Sequence, residues 1–177
     1  MKIFYDVDTQ NDFMLSTGGL YVPDAENIIG KIAVLTNYAR QNNIPVFGSI
    51  DAHAENDSEF KVFPRHCVVG TLGQEKVIPA KPGEKYFEKQ HYDVFTNPEA
   101  ERVLKQQKVN EAVVYGVATD ICVRAAVLGM QARTIQCYVV GDAIRGVFPD
   151  KTQQALEEMV NAGAKLVTTK EVLGGKI

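Results

Sequence analysis

The sequence predicts an α/β fold, a three-layer α/β/α sandwich built on a mainly parallel, Rossmann-like sheet of about six strands. Three observations carry this. Short apolar runs rich in β-branched residues alternate with longer segments of helical period, the signature of βαβ units. The central runs are continuously apolar instead of alternating, so both faces of the sheet need helices over them. The length of 177 residues suits one domain with one core, spanning 1–177.

The elements follow in order. Residues 3–7 form the first strand. A helix opens at Asp24 as N-cap and places Ile28, Ile32, Leu35 and Ala39 on one face. Residues 44–50 form the second strand. Residues 51–82 are polar and punctuated by Pro64, Gly70, Gly73 and Pro79, and a loop of that length in a compact domain points to function. Residues 85–89 make a short strand with Lys89 at its end. Asn97-Pro98 starts a helix, with proline where its missing N–H costs least. The remaining strands are 112–117, 134–140 and 165–168, with helices capped by Thr119 and Asp150 between them. In such sheets, ligands gather at the carboxyl ends of the strands.

The formal charge of −3, with Lys and Glu interspersed, leaves no basic stripe to follow a phosphate backbone, so nucleic acid is not the expected partner. A small molecule is. The N-terminal residues enter a strand directly and lack the pattern of a secretory signal, and no apolar run is long enough to span a bilayer. Three widely spread cysteines do not make a disulfide framework. These features together imply a cytoplasmic protein with reduced thiols, and we expect a homo-oligomer without membrane contact.

Four stretches carry candidate chemistry. A strand runs through Val117-Ala118-Thr119-Asp120-Ile121-Cys122-Val123 into a helix whose first turn holds Cys122. There, unpaired N–H groups and the helix dipole favour thiolate and offer an oxyanion site. The alternative is a small buried hydrophobe, as most free cysteines are. The first strand ends in Asp6-Val7-Asp8, whose acids share a face by strand alternation, with Asp8 nearer any cleft and Asp12 in the following loop. One of these could accept the thiol proton; turn capping is the other reading of Asp6 and Asp12. Asp51, His53 and His66 are suitable ligands for a divalent metal, although a pair of surface loop histidines fits the spacing equally well. His91 has no such neighbours. Lys89, at a strand end, could pair with Asp8 or stabilise developing negative charge, or be solvated.

Taken together, these stretches resemble the isochorismatase-like cysteine hydrolases, and within them the nicotinamidase and pyrazinamidase branch. The match covers nearly the whole chain. Asp8-Thr9-Gln10-Asn11-Asp12-Phe13 is similar to the family's Asp-x-Gln-x-Asp-Phe, Lys89 precedes the Tyr92 and Phe95 stretch, and residues 116–123 reproduce its nucleophile segment. The resemblance implies a catalytic set of Asp8, Lys89 and Cys122. It also implies an oxyanion hole from the N–H groups of Ala118 and Cys122, and a cis peptide between Val117 and Ala118. Asp51, His53 and His66, the last in Pro64-Arg65-His66-Cys67, match the branch's metal ligands; the metal would be zinc, with iron or manganese as substitutes.

The implied reaction is hydrolysis of a small carboxamide, nicotinamide foremost, through a thioester, in the setting of NAD salvage. Nicotinamidases commonly have a tryptophan before the Pro-x-His-Cys run. This chain has no tryptophan and presents Phe63, which could sandwich a flat ring with Phe13. Arg65 could instead favour an anionic substrate. The rival readings are a hydrolase of a carbamoyl compound or ureide, a metal-water hydrolase, and a non-catalytic metal-binding or thiol-sensing protein.

Overall fold

A computed structural model describes all residues, 1–177. Six strands form one sheet in the order β3-β2-β1-β4-β5-β6, every neighbouring pair parallel. They are β1 Lys2–Val7, β2 Val46–Asp51, β3 Lys85–Lys89, β4 Glu111–Val117, β5 Gln136–Arg145 and β6 Lys165–Val167. The helices are α1 Asn11–Met14, α2 Ile29–Gln41, α3 Pro98–Gln106, α4 Arg124–Gln131, α5 Pro149–Asn161 and α6 Thr169–Leu173. No helix is long and apolar enough to cross a membrane.

Alternation within the strands divides the core into two layers. Ile3, Tyr5 and Val7 of β1 and Ala112 and Val114 of β4 pack with Val103 of α3, Val127 of α4 and Met159 of α5. Phe4, Val113, Tyr115 and Val117 pack on the opposite face with Ile32, Leu35 and Ala39 of α2 and Val172 of α6. Both faces are therefore dry, which is why the central strands lack polar alternation. The β1–β4 seam is close-packed. Gly116 sits at φ 122°, where a Cβ would lie 2.1 Å from the Val7 carbonyl oxygen. A side chain here would push the two central strands apart.

From β1 the chain winds outward through β2 and β3, then returns to β4 on the other side. The reversal opens a crevice beyond the carboxyl ends of β1 and β4, the ordinary ligand position in open α/β sheets.

Local helix starts differ from the sequence expectation at three places. Asp24 has left-handed backbone, φ 60°, and makes no side-chain cap; a 3₁₀ turn, Ala25–Ile28, leads into α2. Thr119 is not a cap but the first residue of a single π-helical turn, Thr119–Val123, which precedes α4. Asp150 lies inside the first turn of α5, whose N-cap is Phe148. Asn97 behaves as expected, accepting from the Glu99 N–H at 3.0 Å ahead of Pro98. In the three exceptions, a local preference worth about 1 kcal/mol does not decide where the helix starts; only Thr119 of the three is buried.

Candidate active site

The register of the sheet assembles the site. Asp51 and Lys89, the last residues of β2 and β3, are paired partners in neighbouring strands. Asp8 follows β1 directly, and its left-handed backbone, φ 48°, breaks the alternation that would have left it on the same face as Asp6. The Asp6 carboxylate goes elsewhere, to Lys76 at 3.2 Å and the Thr9 hydroxyl at 2.8 Å. The turn after β4 then supplies Cys122. The Val117–Ala118 peptide is cis.

Lys89 is the hub. Its Nζ lies 2.8 Å from Asp8 Oδ2 and 3.6 Å from Cys122 Sγ, and it donates to Asp51 Oδ1. All four side chains are buried. Burial would discharge the Lys89 ammonium, but Asp8, Cys122 and Asp51 outweigh it and hold its pKa well above the lysine range. Burial raises the Asp8 carboxyl, with Lys89 opposing and Asp51 assisting. Burial also pushes the Cys122 thiol well up, against the pull of Lys89. At Cys122 desolvation is therefore the largest influence and opposes the thiolate that a helix start would favour, with Lys89 pulling the other way. Both Asp8 carboxylate oxygens are buried, and beside the Lys89 ammonium 2.8 Å from Oδ2 neither has a hydrogen-bond partner in the protein. Ala118 is buried before the turn, and its N–H finds no acceptor in the protein.

Asp51 links this cluster to a second one. Its Oδ2 faces His53 Nε2 at 3.8 Å and His66 Nε2 at 3.9 Å, and one donor atom from each of the three residues lies within 4.8 Å of the others. The two histidines come together because the His53 N–H donates to the Cys67 carbonyl and the Val69 N–H to the His53 carbonyl, closing a short bridge across the long loop. Both are buried, so the reading as surface loop histidines falls.

The donor set suits a divalent cation. His53 Nδ1 sits 3.0 Å from Asp57 and His66 Nδ1 2.8 Å from the Pro64 carbonyl, which fixes both rings with Nε2 inward. His53 Nε2 is buried without a partner. Asp51 first, then Asp57, push the His53 imidazole up to about 9, so this position attracts positive charge.

A cavity of about 260 Å³ opens onto Cys122, Asp8, Asp51 and His66. Phe13 and Phe63 line it, as the sequence suggested. Tyr92, from the stretch after Lys89, also lines it; so do Tyr21, Val147 and Phe148, which were not singled out because nothing in their local pattern marks them. No lysine or arginine lines this cavity; Glu59 does. Arg65, a candidate for binding an anion, instead pairs with the exposed Glu55 at 2.5 Å and does not line the cavity.

Two supporting residues are structural. The Gln10 side chain accepts the Asp51 N–H at 2.7 Å and donates to the Asp51 carbonyl at 2.9 Å, pinning that backbone where β2 ends. Asp12 accepts the Cys67 and Gly19 N–H groups at 2.7 and 2.9 Å, which ties down the histidine-bearing loop. His91 is exposed and isolated.

The chain matches the isochorismatase domain over residues 6–171. It is 30% identical to a nicotinamidase/pyrazinamidase of Mycobacterium tuberculosis, over 94% of this chain and 98% of that protein. It is 24% identical to enterobactin synthase component B of Escherichia coli, covering 97% of this chain but only 62% of that longer protein. The structure of the pyrazinamidase of Pyrococcus horikoshii in complex with zinc superposes with a TM-score of 0.89 at 30% identity, over 94% of this chain and 98% of that one.

Proposed function

Because the chain belongs to the isochorismatase family, we propose that it is a cysteine-dependent amidohydrolase of small uncharged carboxamides, nicotinamide foremost. The observation that carries this reading is the contact of Lys89 with both Asp8 and Cys122, at 2.8 and 3.6 Å, beneath a cavity of amide size. The relatives named as nicotinamidases and pyrazinamidases support it.

In the mechanism, Asp8 takes the thiol proton as Cys122 attacks the carboxamide carbon. The Ala118 and Cys122 N–H groups receive the oxyanion, which forms where no solvent competes for it. As the tetrahedral adduct collapses, Asp8 returns its proton to the leaving nitrogen, and ammonia departs. Asp8 then takes a proton from water, which attacks the thioester and yields the acid. The departing sulfur recovers the proton from Asp8. Lys89 keeps Asp8 in place and its ammonium balances the charge that shifts between carboxylate and sulfur. A divalent cation on Asp51, His53 and His66, zinc first and iron or manganese as substitutes, would supply a Lewis-acid site to hold a ring nitrogen of the substrate. Phe13 and Phe63 would flank the ring.

The cavity disfavours the main rival, a carbamoyl compound bearing a carboxylate. Such an anion would meet Glu59 and no lysine or arginine of the lining, and the cation on Asp51, His53 and His66 would be the one positive charge it could reach. Like charges brought together out of water cost several kcal/mol, so turnover of an N-carbamoyl amino acid is expected to run roughly 100-fold below that of nicotinamide. Ammonia release from nicotinamide, pyrazinamide and an N-carbamoyl amino acid, with and without chelator, is the test. Chelation should suppress turnover of the ring amides and added zinc should restore it. Preference for the carbamoyl acid would overturn the substrate assignment, and full activity after exhaustive chelation would overturn the metal's role.

The raised Asp8 carboxyl sets an acid limit. The base works only when deprotonated, so kcat/KM should fall as pH drops through a value above the ordinary carboxylate range. A pH–rate profile flat down to the ordinary carboxylate range would contradict Asp8 as base.

A further inference from the structure

Asp120 stands two residues before Cys122 in the π-helical turn, half-buried and with no part in the chemistry described. Its carboxylate spans two elements. Oδ1 accepts the Val147 N–H at 2.9 Å and Oδ2 accepts the Phe148 N–H at 3.0 Å. Both donors belong to the segment between β5 and α5, and both Val147 and Phe148 line the cavity above Cys122. Phe148 is the N-cap of α5 and brings no side-chain cap of its own. Asp120 thus caps α5 from another element.

The segment is shaped for this approach. At Gly146 a Cβ would lie 1.9 Å from Thr152 Oγ1 and 3.0 Å from Asp120 Oδ1, so the clamp needs a residue without a side chain there. Phe148 is 51% exposed and packs too little to fix itself. Two hydrogen bonds to one carboxylate define the distance from the nucleophile turn to this wall better than apolar contact alone, because they are directional and charge-assisted.

We propose that Asp120 is a positioning residue for substrate, one that sets how closely the Val147–Phe148 wall approaches a planar amide held over Cys122. The inference rests on the reading of this cavity as an amidase site. It assigns to Asp120 the separation between wall and sulfur, and leaves the reactivity of the sulfur to Asp8 and Lys89. Loss of the clamp therefore loosens ground-state binding without slowing the chemical step.

The test is Asp120→Asn, in which one amide acceptor replaces two carboxylate oxygens and the NH₂ group opposes the second backbone donor. With one of the two charge-assisted bonds gone the wall is no longer held at a fixed distance, so KM for nicotinamide should rise roughly tenfold or more. The kcat and the rate of Cys122 alkylation by iodoacetamide should stay within about threefold of wild type, since neither depends on the wall. Phe148→Ala should raise KM in the same way. The double variant should be no worse than the single ones, because both changes remove one device.

Asp120→Ser, which retains one capping oxygen, carries the same expectation and serves if the asparagine variant does not fold. Unchanged KM, alkylation falling in step with kcat, fully additive effects in the double variant, or failure of both Asp120 variants to fold would each overturn the assignment. Wild-type turnover in the same assay separates the two levels. A wild-type protein inactive on every amide removes the amidase reading and this inference with it, whereas an active wild type with an indifferent Asp120→Asn removes the inference alone.

Discussion

Cys122→Ala is expected to abolish amide turnover, lowering kcat by roughly 10⁴-fold or more, because no neighbouring group can replace the nucleophile in a covalent route. The fold should survive. Cys122 is 8% exposed at the cavity floor, and the substitution removes a single heavy atom next to space already present. The melting temperature should therefore stay close to wild type while activity disappears. Alkylation gives an independent reading. Cys67 and Cys137 are wholly buried, whereas Cys122 lines the cavity, so the site labelled by iodoacetamide in the folded protein should vanish with the substitution. Burial pushes Cys67 and Cys137 up as well, Cys137 to about 12, and neither has a cation at hand to counter it fully. Near-normal turnover by Cys122→Ala would move the chemistry to a metal-bound water and leave the thiol without a catalytic part.

Lys89→Met should be nearly as damaging to activity and far more damaging to stability. The methionine keeps most of the volume but leaves Asp8 and Asp51, both buried, without the ammonium that lies between them. Breaking a buried ion pair by removing one partner costs about 3–5 kcal/mol. That is a large part of the ~5–15 kcal/mol that holds a domain folded.

The sign of the pH dependence follows from the carboxylates. In the variant, Asp8 loses the ammonium that opposes its burial, whereas Asp51 keeps the opposing pull of His53; the raised Asp8 carboxyl makes the fold bind protons more readily than the unfolded chain. The variant should recover stability as pH falls through the carboxylate range, and its deficit should be fully present at neutral pH. In wild type the stabilisation from Lys89 is present through neutral pH and is lost only above the ordinary lysine range, since its folded pKa is raised. Denaturant unfolding of both proteins at neutral and mildly acidic pH measures this. Equal stability of the two at neutral pH would contradict the hub role of Lys89.

The strands were legible because a doubly covered parallel sheet writes itself as continuous apolar runs, and 112–117 in the sequence differs from β4 Glu111–Val117 by a single residue. The candidate site residues were legible where one sits at the end of such a run, as Lys89 does, or directly after it, as Asp8 does. Helix starts were less so. Asp24, Thr119 and Asp150 are all good capping residues by type, yet none of them serves as a side-chain cap in the structure.

Contacts between distant segments left no local signal. The pairing of Asp51 with Lys89 depends on sheet register, the Gln10 hold on Asp51 crosses 41 residues, and the Asp120 clamp crosses 27. The state of Cys122 also required the fold. Position at a helix start argued for thiolate, and only the burial of the whole cluster shows the desolvation that pushes the thiol the other way.

The central claim is that the reaction passes through a bond to Cys122 sulfur. Mass analysis of protein quenched in acid during turnover of nicotinamide reads that bond directly. The account predicts an added acyl group confined to the peptide containing Cys122, hydroxylamine-labile as a thioester must be, and absent from Cys122→Ala. Sustained ammonia release with no acyl group on that peptide, matched by an active Cys122→Ala, would contradict it.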